Sequence, residues 1–117
     1  MGYIAIVDYG AGNLMSVHNT LDFLGYENKV ASTGEVIENA AGVILPGVGA
    51  FGDAMERLHQ YGLVDVIREA VKNGTPLLGI CLGLQLLFER SDESNGVKGL
   101  GILKGQILKI PDSPCLK

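Results

Sequence analysis

One of the two cysteines sits where a chain would place a nucleophile. Gly79-Ile80-Cys81-Leu82-Gly83 has the form glycine, any residue, nucleophile, any residue, glycine, the pattern of a side chain held at a sharp turn between a strand and a helix. Such a turn strains the backbone and lifts the sulfur above the sheet. Small residues are required at Gly79 and Gly83 because neighbouring backbone passes close to them. A helix starting at the cysteine aims its free N–H groups and positive dipole end at the sulfur, which favours thiolate. The Leu82 N–H then lies where an oxyanion would develop during attack on a carbonyl. The same five residues would also suit a small buried hydrophobe, the commonest fate of a free cysteine. The surrounding elements have to decide between the two.

Those elements alternate. Tyr3 to Val7 is a β-rich apolar run followed by the turn Gly10-Ala11-Gly12-Asn13. Asn13 caps a helix with the apolar stripe Leu14, Val17, Leu21 and Leu24, closed by Gly25. Asn28 to Ala31 reads as a weaker strand, and Gly42 to Leu45 as a fully apolar one that stops at Pro46. Helices are expected over Asp53 to Gln60 and Leu63 to Val71. Pro76 to Gly79 is a fourth strand that turns at Cys81 into a helix running to Arg90, with Gln106 to Ile110 a further strand. Apolar strands separated by helices predict an α/β fold, an open and mainly parallel sheet with helices on both faces. Pro111-Asp112-Ser113-Pro114 is loop chemistry, and the domain is expected to be incomplete at its C-terminus. The cysteine falls at the C-terminal end of a strand, where open α/β sheets bind ligands, and this context favours the nucleophile.

Three segments together resemble a known family. Cys81-Leu82-Gly83-Leu84-Gln85 is similar to the nucleophile motif of class I, triad-type glutamine amidotransferases, whose sheet is flavodoxin-like. Leu45-Pro46-Gly47-Val48-Gly49-Ala50-Phe51 and Asp8-Tyr9-Gly10-Ala11-Gly12-Asn13-Leu14 narrow the resemblance to the glutaminase subunits of imidazole glycerol phosphate synthase, of histidine biosynthesis. Most class I relatives carry Pro-Gly-Gly where this chain has Pro-Gly-Val-Gly. The resemblance runs from Ile4 to about Ile110, so residues 1–117 are expected to form the N-terminal part of one such domain.

The resemblance implies a set of roles. Cys81 attacks the amide carbon of glutamine, and Leu82 N–H with an N–H of the Gly47-Val48 turn holds the oxyanion. Gln85 contacts the bound glutamine, and Gly49 leaves room for it. The partner is the cyclase subunit, which receives the ammonia, with Asn13 at the interface. Many relatives have a basic residue where Met15 stands, so a charge contact is not carried over there.

A cysteine of this type needs a histidine to take its proton and return it to ammonia, and an acid to orient that histidine. In the family both lie well downstream of the cysteine. His59 falls near the end of its helix, toward the edge opposite Cys81, and His18 flanks an apolar stripe as a half-buried structural residue. Asp53, Glu56 and Glu89 read as helix-surface charges. The chain is therefore expected to turn over little or no glutamine. Two other functions fit less of the sequence: a non-catalytic fragment that docks on the cyclase, and a different cysteine-elbow hydrolase, against which Gln85 and Pro46 to Phe51 count.

Composition agrees with a soluble globular domain. The chain has 117 residues, 47% hydrophobic, with a net charge of −4 scattered singly. No basic stripe invites nucleic acid or an anionic membrane, and no apolar run approaches the roughly 20 residues of a bilayer span. Gly10-Ala11-Gly12 would need a glycine at Met15 to be a dinucleotide fingerprint. Cys81 and Cys115, far apart and without histidines beside them, do not make a zinc site; Cys115 has no motif around it. No cofactor or metal is expected, and the setting is expected to be cytoplasmic.

Overall fold

The computed structural model describes residues 2–111; Cys115 and the loop residues after Pro111 lie outside them. Four short strands form one sheet: β1 Ile4–Val7, β2 Asn28–Ala31, β3 Gly42–Leu45 and β4 Leu77–Gly79, in the order β2-β1-β3-β4. Every pairing among them is parallel. The alternation of side chains along a strand splits the sheet into two faces. Ala5, Val7, Val43 and Leu45 join the larger core, whereas Ile6 and Ile44 join a smaller one.

Helices cover both faces. The small core is closed by α1, Leu14–Leu24, through Leu21. Asn13 begins α1, its side-chain oxygen accepting from Ser16 N–H at 3.3 Å, and Gly25 ends it in the left-handed conformation. Leu24, expected in the apolar stripe, is exposed; α1 meets the sheet along a line through Leu21, and Leu24 lies beyond it.

The large core receives α2 Gly34–Glu38, α3 Phe51–Gln60 and α4 Val64–Lys72. Phe51, Ala54, Met55 and Leu58 make the buried stripe of α3, and Val64, Ile67 and Ala70 that of α4, at the spacing of one helix face. The short α2 was not foreseen; it buries only Ile37, too little periodicity to register in sequence. The start of α3 at Phe51, two residues before the expected Asp53, comes from distant capping. Phe51 N–H donates to Glu93 Oε1 at 3.0 Å and Gly52 N–H to Ser94 Oγ at 2.9 Å.

Two expectations after Cys81 are corrected. The helix there, α5, spans Leu82–Gln85 and does not reach Arg90. The groups that would continue it are taken by a distant loop: Glu89 N–H donates to Gly105 O and Leu86 O accepts from Leu100 N–H, while just beyond, Leu87 O accepts from Leu103 N–H and Phe88 O from Gly101 N–H. Gln106 to Ile110 does not add to the main sheet. Only β6 Gln106–Ile107 is extended, and it pairs with β5 Arg90–Ser91 in a separate two-stranded sheet. Glu89 accordingly lies outside any helix and accepts from Gly105 N–H at 2.9 Å.

Parallel register places Val30, Ile6, Ile44 and Leu78 in one row across the four strands. The centre of the row is buried, but Val30 and Leu78 at its ends are 45% and 56% exposed.

Candidate active site

Strand order reverses between β1 and β3: the chain leaves β1 for β2 on one side, then crosses to β3 on the other. Such a switch point opens a crevice at the C-terminal ends of the strands. The loops after β1, β3 and β4 all emerge there, and they touch. Tyr9 Oη donates to Pro46 O at 2.7 Å, joining the first loop to the second. A Cβ on Gly12 would come 3.1 Å from the Pro46 ring. The second loop rests on the third, since a Cβ on Gly47 would lie 2.8 Å from Gly83 N.

The turn at Cys81 has the geometry its sequence implies. Cys81 has φ 55° and ψ −123° and is, among the described residues, the non-glycine with positive φ. A backbone of this kind costs roughly 1–3 kcal/mol and persists only where its surroundings enforce it. Here they do so by close packing. A Cβ on Gly83 would run into the Leu45 carbonyl, and one on Gly79 would stand 2.7 Å from Leu84 Cα. The elbow is thus pressed against the end of β3 with backbone touching backbone. Cys81 itself is exposed, while Leu82 and Gly83 behind it are buried.

Around the elbow, Gly47 is buried, and Val48 is 60% exposed at the tip of its turn. Gly49 has φ +92° and open space where a side chain would stand. Among the described residues, neither Val48 N–H nor Leu82 N–H donates to a backbone carbonyl. Gln85, half-buried, faces a cavity of about 500 Å³ that it shares with Asp92, Glu93 and Lys109. Asn13 is exposed at the start of α1, on the loop that carries Tyr9. Cys81, Leu82 and Gly47 therefore come together, Val48 follows at the tip of the turn beside Gly10 and Arg57, Gln85 lies one turn behind them, and Asn13 stands on the neighbouring loop.

The histidines are elsewhere. His18 Nδ1 lies 2.6 Å from Asn28 Oδ1, and its Nε2 is 3.1 Å from Asp22 Oδ2; this is a small polar cluster joining α1 to β2. His59 is exposed on the last turn of α3, beside Gly62 and Asp65.

Three contributors carried no signal of their own in the sequence. Tyr9 is fully buried, and burial pushes its phenol up to about 12. Arg57 Nη1 donates to Gly10 O at 3.1 Å, tying α3 to the first loop. Glu93 caps α3 immediately after the Pro46–Ala50 turn. Only Tyr9 stood within a segment whose sequence suggested a site.

Known proteins share this fold. The family described as the CobB/CobQ-like glutamine amidotransferase domain matches residues 4–109. The chain belongs to that family. Among curated relatives, the imidazole glycerol phosphate synthase subunit HisH of Moorella thermoacetica is 57% identical over 108 residues, covering 92% of this chain and 51% of the relative. The protein of the same name from Geobacillus kaustophilus is 54% identical, again over 92% of this chain and 51% of its own length. A solved structure described as a glutamine amidotransferase superposes with a TM-score of 0.75 at 26% identity, covering 87% of this chain and 53% of the other. The chain thus spans about half the length of the curated relatives it matches. The open parallel sheet is that of an amidotransferase domain. Among the described residues, no helix is long and apolar enough to cross a membrane.

Proposed function

We propose that this chain carries the nucleophile and oxyanion half of a glutaminase site serving imidazole glycerol phosphate synthesis in histidine biosynthesis. The observation that carries this reading is the strained Cys81, exposed at the switch point and backed by the Gly47 turn. The Cys81 thiolate adds to the side-chain amide carbon of glutamine. The carbonyl oxygen becomes an oxyanion, received by the N–H groups of Leu82 and Val48. Collapse of this adduct breaks the C–N bond, leaving a glutamyl thioester on sulfur, and ammonia departs with a proton from a general acid. Water then attacks the thioester and releases glutamate.

In this reading, Gln85 contacts the glutamine from α5, Gly49 keeps the entrance open, and Asn13 faces a cyclase partner that takes up the ammonia in the cytoplasm. Neither His18, engaged with Asn28 and Asp22, nor His59, on the last turn of α3, is offered to Cys81 as the proton carrier. Turnover therefore requires a base and acid from beyond the described residues.

The test is alkylation of Cys81 by a chloroketone analogue of glutamine, read by peptide mass spectrometry with and without excess glutamine. Labelling confined to Cys81 and slowed by glutamine is expected. Labelling indifferent to glutamine would refute the substrate assignment. Steady-state ammonia release by this chain with the cyclase subunit present is expected to be near background; robust release would refute the need for an additional base.

A further inference from the structure

We propose that Tyr9 is a positioning residue for the oxyanion turn, its hydroxyl holding the Pro46–Gly47 peptide so that the following N–H groups face Cys81; this rests on the glutaminase reading above. The phenol is buried and reaches across 37 residues of chain to donate to Pro46 O at 2.7 Å. A peptide unit is planar, so fixing its carbonyl fixes its N–H on the opposite side. Tyr9 therefore sets the direction of Gly47 N–H and the position from which the Gly47–Val48 peptide starts.

Gly47 has no room for a side chain without moving one of its neighbours. A Cβ there would lie 2.8 Å from Tyr9 Oη and 2.8 Å from Gly83 N, so Gly47 is held between the phenol and the elbow. The turn is otherwise loosely held: Val48 is exposed and Gly49 faces open space. Without the phenol's hydrogen bond, a turn containing Gly47 and Gly49 would have freedom to rotate its peptides. Preorganised donors are what make an oxyanion site effective, because they need not reorient as charge develops.

The bond also joins this turn to the loop carrying Asn13. That loop is braced in turn by Arg57 Nη1 on Gly10 O and by Gly10 N–H on Asp8 Oδ1 at 3.2 Å. Displacing the first loop would thus reach the oxyanion turn through Tyr9.

Tyr9→Phe in the 117-residue chain tests this with two reagents of different demands. A glutamine chloroketone adds at its carbonyl through an alkoxide before sulfur displaces chloride, so it needs the oxyanion donors. Iodoacetamide is attacked at its CH2 group, with loss of iodide, and does not. Loss of one positioning hydrogen bond is expected to slow chloroketone labelling of Cys81 roughly tenfold, with the iodoacetamide rate unchanged. Equal slowing of both reagents, or of neither, would overturn the role of Tyr9 while leaving Cys81 reactive. A parent chain whose Cys81 shows no preference for the glutamine reagent would overturn the glutaminase reading and this inference with it.

If Tyr9→Phe does not fold, 3,5-difluorotyrosine in place of Tyr9 keeps the ring and the donor but ionises at lower pH. Selectivity for the chloroketone is then expected to fall as that phenol loses its proton. A flat pH profile of the ratio would overturn the proposal.

Discussion

Phe51 and Glu93 are joined by a hydrogen bond, 3.0 Å long, from the Phe51 N–H to the Glu93 carboxylate. Ala50, which precedes α3, makes no side-chain cap, so this distant carboxylate does the work of an N-cap residue and places negative charge at the positive end of the helix. Glu93→Ala is expected to cost about 1 kcal/mol of stability, and Glu93→Gln less. Urea unfolding with an unchanged m value would show it as a lower midpoint. Equal midpoints for all three proteins would remove Glu93 from the account of α3.

Gly83 leaves no space for a methyl group, because its Cβ would run into the Leu45 carbonyl at the end of β3. Gly83→Ala must therefore push the elbow away from the sheet, at a cost of roughly 1–3 kcal/mol or more, and should abolish selective labelling of Cys81. Gly42→Ala is the control. Its Cβ would meet Pro76 O at 3.8 Å, an ordinary contact, and its stability should differ from the parent's by no more than about 0.5 kcal/mol. If the two variants are equally stable, the close packing of the elbow is not what holds it.

The exposed position of Cys81 carries backbone strain. Cys81→Gly relieves the positive φ of 55° and should raise stability by about 1 kcal/mol, although it removes the proposed nucleophile. Cys81→Ser keeps the strain and should leave the unfolding midpoint near that of the parent. Thermal or urea unfolding of the three proteins distinguishes these outcomes; a Gly variant less stable than the parent would contradict the strain assigned here.

Tyr9 should leave a mark on alkaline stability. Its phenol is raised from 10.0 to about 12 in the folded chain by desolvation. Between those values the unfolded chain has lost a proton that the folded chain keeps, so stability falls with rising pH. The contribution is fully present below pH 10, declines above it and is gone past about 12. The difference between parent and Tyr9→Phe, measured by urea unfolding across that window, isolates it from the other tyrosines and the lysines. A difference that does not change with pH would contradict the burial of the ionising group.

Much of the site was legible because its determinants are local. The glycines around Cys81 announce a tight turn, and the apolar run before them announces a strand, so the elbow could be read from a dozen residues. The order of strands brought the loops at Gly10 and Pro46 to the same edge, as parallel pairing requires. What could not be read depends on partners far along the chain. The start of α3 depends on Glu93 and Ser94, and the early end of α5 on Leu100 N–H and Gly105 O. Leu24 kept helical periodicity yet faces solvent, because periodicity names a stripe without saying how far the sheet extends beneath it. Tyr9 looked like one aromatic residue among turn formers; its hydrogen bond exists only once β1 and β3 are paired.

The row that runs from Val30 to Leu78 has a practical consequence for handling the protein. Among the described residues β4 pairs with β3 alone, so its outer N–H and C=O groups are free beside a leucine that is 56% exposed. An open strand edge beside an exposed leucine invites other chains to add on. Solutions of the chain should become turbid as they are concentrated or warmed, well before the helices melt, with a lysine at Leu78 delaying the onset. Colloidal behaviour, more than unfolding, would then set the conditions under which Cys81 chemistry can be measured.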